Sequence, residues 1–255
     1  MGRVIAITNQ KGGVGKTTTA INLAAALAES GQNVLIVDFD PQGNATSGLG
    51  ISEDERNNTI YDVLSDECSV EDSIVSEIIE NLSIIPADMN LAACEVELAD
   101  EENKNTILKE KLYSIEDRYD YIFIDCPPSL GTITVNALTA ADSVIIPIQC
   151  EYYALEGLNQ VLNTIEIIRK SLNRKLLMEG IVFTMFDSRN NLSQQVVETV
   201  RNNFSGAIYD TVIPRNVRLA EAPSHGLPIT LYESSSTGAE SYRLLAAEVM
   251  RREER

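Results

Sequence analysis

No window of eighteen apolar residues occurs in this chain, which excludes a hydrophobic transmembrane helix of ordinary length. The sequence runs from Met1 straight into a strand-like segment, without the basic and apolar regions of a secretory leader, so a cytoplasmic protein is expected. Cysteine and histidine are scarce. Cys68, Cys94, Cys126 and Cys150 lie far apart with no CxxC pair, and His225 is the only histidine, which supports neither a disulfide framework nor a zinc site. Internal repeats, low-complexity stretches and Pro/Gly/Ser-rich linkers are missing too. At 255 residues, 44% of them hydrophobic, the chain can bury one large core, and a single domain spanning 1–255 is expected.

Positive charge is the other shortage. A formal net charge of -18 ordinarily argues against a nucleic-acid partner. The average hides an asymmetry: residues 1–159 hold 8 Lys and Arg against 27 Asp and Glu, a balance of -19, whereas residues 160–255 hold 12 against 11, a balance of +1. Any basic patch must come from the second part.

Short β-branched runs bounded by turn residues recur at Val4–Thr8, Val34–Asp38, Leu82–Pro86, Tyr121–Asp125, Ser143–Ile148, Gly180–Phe186 and Ile208–Ile213. Segments with helical periodicity lie between them, among them Thr17–Ser30, Leu155–Ser171 and Ala239–Arg252. This alternation predicts an α/β fold, a mostly parallel twisted sheet with helices on both faces, whose ligands bind at the carboxyl ends of the strands. The acidic stretch Ser52–Glu80 reads as a surface excursion with short helices.

After the first strand comes Lys11-Gly12-Gly13-Val14-Gly15-Lys16-Thr17-Thr18, followed at once by the helical run from Ala20 to Leu27. Strand, glycine-rich loop and helix form the context of a P-loop: the glycines let successive N–H groups turn inward onto phosphate oxygens, and the helix N-terminus adds partial positive charge. Lys16 is placed to reach the β and γ phosphates of ATP, and the Thr17 hydroxyl to ligate Mg²⁺.

The strict GxxxxGK[ST] pattern fails, because Gln10 stands where its first glycine would be, and a second lysine, Lys11, opens the loop. In this the chain resembles the deviant Walker-A ATPases, which include ParA/Soj partition proteins, MinD and the nitrogenase iron protein. The resemblance implies that Lys11 reaches across a dimer interface to the phosphates of the ATP on the other subunit, meeting the charge that develops there as an arginine finger does elsewhere.

Val34 to Asn44 reads as a second strand ending in two carboxylates, Asp38 and Asp40, at alternate positions, hence on one side of the strand. Asp-x-Asp-Pro-Gln is itself a hallmark of the ParA-like group. The resemblance assigns Asp40 the positioning of the attacking water and Asp38 an outer-shell role at Mg²⁺. Tyr121-Ile122-Phe123-Ile124-Asp125 is an apolar strand ending in an aspartate, the Walker-B pattern, which predicts Asp125 at the metal through water. Further on, Val212 to Arg218 followed by Glu221 to Gly226 also resembles the ParA/Soj subgroup, which implies adenine contacts from the loop at Pro214 and Asn216. His225 has no neighbouring nucleophile and reads as structural or surface.

The resemblance runs from Val4 to about Tyr242 with every motif in order. No helix-turn-helix extension precedes the P-loop, which points to the short chromosomal Soj-like proteins. A MinD-like membrane reading would need a terminal amphipathic helix with basic flanks. The last helix instead has Tyr242, Leu245 and Val249 at core spacing, with Glu248, Glu253 and Glu254 interrupting the positive charge, so no stable membrane association is expected. An iron-sulfur reading would need two cysteine ligands on the dimer face, and Cys126, beside Asp125, is in the wrong place.

The family implies an ATP-dependent homodimer that binds double-stranded DNA non-specifically on the nucleoid and acts with a ParB/Spo0J-like protein in chromosome or plasmid segregation. Arg189 and Arg218, long-armed cations of the non-acidic part, are the candidate DNA contacts, doubled on one surface by dimerisation. Local salt bridges with Asp187 and Glu221 are the alternative fate of each. The acidic first part suits a basic peptide of the partner; simple solubility explains it equally well. A scaffold that holds ATP only structurally is the non-enzymatic alternative.

Overall fold

The computed structural model of the chain describes residues 2–98, 101 and 103–253. Its strands are β1 (Arg3–Ile7), β2 (Val34–Asp38), β3 (Val75–Ile79), β4 (Leu82–Ile85), β5 (Tyr121–Asp125), β6 (Ser143–Gln149), β7 (Leu177–Phe186) and β8 (Ile208–Pro214). Its α-helices are α1 (Lys16–Glu29), α2 (Asn44–Gly48), α3 (Ile60–Leu64), α4 (Cys94–Glu97), α5 (Ile107–Leu112), α6 (Thr132–Ala140), α7 (Ala154–Ser171), α8 (Asn191–Asn203), α9 (Val217–Glu221), α10 (Ile229–Tyr232) and α11 (Thr237–Glu253).

The strands form one sheet in the order β3-β4-β2-β5-β1-β6-β7-β8, in which every pair is parallel except β3 with β4. Successive residues of β1 divide between two cores: Val4 and Ala6 pack under α5, α6 and α7, whereas Ile5 and Ile7 pack under α1 and α11. Burial on both faces is why β2 and β5 read as unbroken apolar runs rather than alternating ones. Helix α1 is buried nearly all round, and its alanines at 20, 24, 25, 26 and 28 let it lie close against the sheet and α11.

Two differences from the expected elements have physical causes. The acidic excursion holds short helical turns as expected, but it ends in β3, an antiparallel edge strand. Its register is broken between Val75 and Ile79, and Glu77 sits there at φ 53, so the period-two alternation that would announce a strand is absent. Strand β7 starts at Leu177 rather than Gly180, drawn into pairing with β6 from Ser143 onward.

Helix α11 buries Tyr242, Leu245 and Val249 against the sheet, and no helix among the described residues is long and apolar enough to cross a membrane. Glu248 is buried as well. It accepts hydrogen bonds from the amides of Asp210 (2.9 Å) and Thr211 (3.0 Å) and pairs with Arg252 at 2.9 Å. Glu254 lies outside the described residues, as does the side chain of Glu253.

Candidate active site

The register sets Ile7, Asp38 and Asp125 abreast at the carboxyl ends of β1, β2 and β5. From Ile7 the chain enters the glycine-rich loop, which is tied down at both ends. The Asn9 amide donates to the Pro147 carbonyl (2.8 Å) while its Oδ1 accepts the Lys11 amide (3.0 Å), and the Val14 carbonyl accepts the Thr184 hydroxyl (2.8 Å). Gly13 and Gly15 adopt φ of +72 and +86, a region costly for any residue with a Cβ. Gly12 has neither a positive φ nor an atom within 4 Å of where its Cβ would stand.

Gly15 caps α1 without any side-chain cap, and the first α1 amide seen bonded back into the turn is that of Thr19, to the Gly15 carbonyl at 2.9 Å. The amides at the start of α1 therefore face a cleft of about 510 Å³ as free donors at the positive end of a helix dipole. That is an anion site. Thr17, Asp40, Asn44 and Pro128 also line the cleft. A second, mostly apolar cleft of about 310 Å³ adjoins it, lined by Pro214, Asn216, Val217, Leu219 and Tyr242; the two share Gly15, Thr18 and Met185.

Lys16, 7% exposed, donates to the Lys11 carbonyl at 3.3 Å. Burial lowers its proton affinity, and Asp125 and Asp40 pull it back up. Asp38 is fully buried, with Oδ2 accepting the Thr46 amide (2.8 Å) and hydroxyl (2.6 Å) and Oδ1 the Asp40 amide (3.3 Å). Burial raises its pKa to about 6 against the lowering effect of those bonds. Asp125 is pushed well above the carboxylate range by burial and by Asp38, with the Thr17 hydroxyl and Lys16 opposing.

Both Asp125 oxygens are buried without a hydrogen-bond partner at bonding geometry among the described residues. An orphaned carboxylate beside a threonine hydroxyl fits a Mg²⁺ ion, which takes one or two protein oxygens and completes its octahedron with water and phosphate oxygens. No cluster of three or more His, Cys, Asp or Glu side chains at metal-binding spacing occurs among the described residues, so those residues offer no self-sufficient cage.

Asp40, 8% exposed, borders the cleft on a turn in which its Oδ1 accepts the Gln42 amide (3.0 Å) and its carbonyl the Gly43 amide (2.9 Å). Lys11 sits at the mouth, where its Nζ pairs with Glu151 at 3.0 Å instead of pointing free into solvent. Pro214 and Asn216 both border the second cleft. The Asn216 side chain is already committed: Oδ1 caps α9 through the Arg218 amide (2.8 Å), and Nδ2 donates to the Thr237 hydroxyl (2.9 Å). Backbone groups are left to meet a ligand there.

The arginines lie outside the clefts' chemistry. Arg189 makes a two-bond pair with Asp187, both at 2.9 Å, and this holds the Asp187 carboxyl down at about 2; Arg218 pairs with Glu221 at 2.7 Å. Each thus takes the local salt bridge that was its alternative reading. His225 is exposed and stacks on Tyr232 at 4.8 Å between ring centroids. Cys126 is buried, and burial raises its thiol well above the ordinary range.

Four residues of the site carry no motif. Glu151 and Thr184 act through partners distant in sequence, Thr46 holds Asp38 eight residues before it, and Met185 adopts φ 51 at the end of β7, between the clefts. A left-handed methionine leaves no trace in sequence, since glycine and asparagine are the residues that announce that conformation.

A family of AAA domains matches residues 2–178. Over 249 residues the chain is 57% identical to the sporulation initiation inhibitor protein Soj of Bacillus subtilis, covering 98% of each. It is 53% identical to the chromosome partitioning protein ParA of Myxococcus xanthus, covering 99% of this chain and 89% of the relative. Among solved structures, the cobyrinic acid a,c-diamide synthase of Mycobacterium smegmatis with bound ADP and magnesium superposes with a TM-score of 0.88 at 36% identity, covering 100% of this chain and 96% of that one.

Proposed function

The chain belongs to the ParA/Soj family of chromosome-partitioning ATPases, and from that membership we propose that its ATPase cycle gates a DNA-binding dimer. The observation that supports this best is the free, positively polarised start of α1, with Lys16 and Asp40 lining one cleft and Asp38 and Asp125 buried at adjacent strand ends beside them.

In this reading the phosphates of ATP lie on the α1 amides with Lys16 against the β and γ groups, and the base enters the apolar cleft at Pro214. Thr17 and Asp125 would hold Mg²⁺, with Asp38 behind them fixed by Thr46. The ion would neutralise phosphate charge and polarise the group being transferred. Asp40 borders the same cleft and orients the attacking water. Lys11 exchanges its Glu151 partner for phosphate on a second copy, so triphosphate closes a two-fold sandwich and hydrolysis reopens it.

Dimerisation doubles every cation offered to DNA and so steeply raises a salt-sensitive, sequence-independent affinity. A ParB-like protein with a basic segment, drawn to the acidic first part, is the proposed stimulator of hydrolysis. The name of the M. smegmatis enzyme points to a different overall reaction, yet identity to the partitioning proteins is higher, and ATP use at a phosphate loop suits both. The burial of the apolar face of α11 gives a membrane-positioning role no support.

The test is retention of the purified protein on random-sequence duplex with ATP, ADP or no nucleotide, alongside its mass in solution. Retention and doubled mass with ATP alone are expected. An unchanged mass with ATP would end the proposal.

A further inference from the structure

We propose that Met185 is a positioning residue for the nucleotide: its thioether packs on the sugar where base and phosphates part, and its left-handed backbone is what aims it there. The proposal rests on the placement of ATP given above and assigns a role to a residue that no motif marks.

Among the described residues, the non-glycine positions with positive φ are Asp66, Glu77, Asn81 and Met185. Aspartate and asparagine tolerate that conformation, and Asp66 and Asn81 both sit in turns; Glu77 lies in the irregular edge strand β3. Met185 is different. It belongs to β7, flanked by β6 and β8, where a bulky side chain at φ 51 is costly. The pairing with β8 adjusts around it: Phe183 lies opposite Val212 and Phe186 opposite Pro214, so β7 takes three steps where β8 takes two, a bulge of one residue.

Neighbouring residues of a regular strand point to opposite faces. Here both Thr184 and Met185 reach the glycine-rich loop, since a Cβ built on Gly15 would stand 3.7 Å from Thr184 Cγ2 and 3.9 Å from Met185 Cε. Thr184 has a structural task there, its hydroxyl donating to the Val14 carbonyl at 2.8 Å. Met185 has no such bond to make. It borders both the phosphate cleft and the apolar cleft, and the other residues common to the two, Gly15 and Thr18, come from the start of α1. Extended backbone at 185 would carry the side chain to the face opposite Thr184; the bulge and the left-handed turn bring it to the junction instead.

A thioether has no charge and no proton to donate. It is soft, and it packs on ring faces and C–H groups. Phosphate gains nothing from it, whereas a sugar that crosses from the apolar cleft to the phosphate cleft passes Met185 and presents C–H groups to it. Met185 therefore adds affinity for a nucleotide and none for bare polyphosphate. Strain of this kind, held at a junction between two clefts, is the pattern of a ligand clamp.

The experiment is thermal unfolding of the full chain as wild type, Met185→Gly, Met185→Ala and Met185→Leu, first without ligand and then over rising ADP or inorganic pyrophosphate with Mg²⁺. The rise of Tm with ligand gives each affinity, weak ones included, and ADP avoids turnover. Without ligand the glycine variant should melt above the alanine variant, the reverse of their usual order in a strand, because only glycine is at ease at φ 51. Both should bind ADP at least about fivefold more weakly than wild type and pyrophosphate within about twofold of it, while the leucine variant, which keeps the bulk, should bind ADP within about twofold. Equal losses for ADP and pyrophosphate would mean that Met185 acts through the loop, and would overturn the proposal. So would wild-type ADP affinity in the alanine variant, or a glycine variant that melts below it. A wild-type protein that binds ADP no more tightly than pyrophosphate instead removes the base from the apolar cleft, and with it the placement on which the proposal stands.

Discussion

Lys11 and Glu151 form an ion pair at 3.0 Å that joins the loop after β1 to the loop after β6. The lysine that would serve a second subunit is held by its own chain. Both side chains are partly exposed, so the pair is worth at most about 1 kcal/mol. Glu151→Gln should release Lys11 and tighten ATP-dependent self-association by no more than about fivefold, read by sedimentation against protein concentration. Weaker association would mean that Glu151 supports the dimer instead of competing with it.

Lys16 and Asp40 separate binding from chemistry. Lys16→Ala removes the buried cation from the phosphate cleft and should abolish nucleotide retention. Asp40→Ala should bind ATP normally by equilibrium titration while its turnover falls on the order of 100-fold or more, the usual scale for losing a group that positions a proton transfer. Full turnover in the second variant would take Asp40 out of the mechanism.

Gly12 and Gly15 look alike in the motif and differ in the fold. Gly15→Ala forces a Cβ into φ +86, a penalty of about 1–2 kcal/mol, whereas Gly12→Ala meets open space at an ordinary φ. Thermal denaturation without nucleotide should show a loss of several degrees for the first and almost none for the second, at roughly 2–4 °C per kcal/mol. Equal shifts would show that the loop is not strained at Gly15.

Glu248 supplies a pH-dependent share of stability. Burial alone would raise its pKa, but the Asp210 and Thr211 amides and Arg252 outweigh that and set it below the ordinary 4.5. A depressed folded value means that the contribution is complete above pH 4.5 and is lost as pH falls through the folded pKa. Glu248→Gln should therefore cost about 1–3 kcal/mol at neutral pH, with the gap to wild type closing below pH 4.5 in urea denaturation. A gap that stays constant into acid would deny the carboxylate this role.

What could be read from sequence was what the chain keeps contiguous. The glycine-rich loop, its two lysines and the strand-end aspartates Asp38, Asp40 and Asp125 each sit in an uninterrupted segment, and parallel pairing brings those segments to one edge. The strands β2 and β5 were legible residue for residue because burial on both faces leaves no polar interruption. Contacts between distant segments left no such sign, as with Glu151 holding Lys11 and Thr184 holding the glycine-rich loop at Val14, and neither did the left-handed Met185 between the two clefts. The charge asymmetry was visible in the sequence only as a count.

The rim that Gly15, Thr18 and Met185 share between the two clefts has a metric consequence. Thr19 sits just behind it and touches the Tyr242 hydroxyl at 3.3 Å, so α1 walls both compartments and α11 braces that wall at the second. Such a wall works as a gauge. Under the proposed function, a guest must place its flat ring and its charged tail a set distance apart to satisfy both ends at once, and a molecule with too short a tail would fill one compartment and leave the other to water.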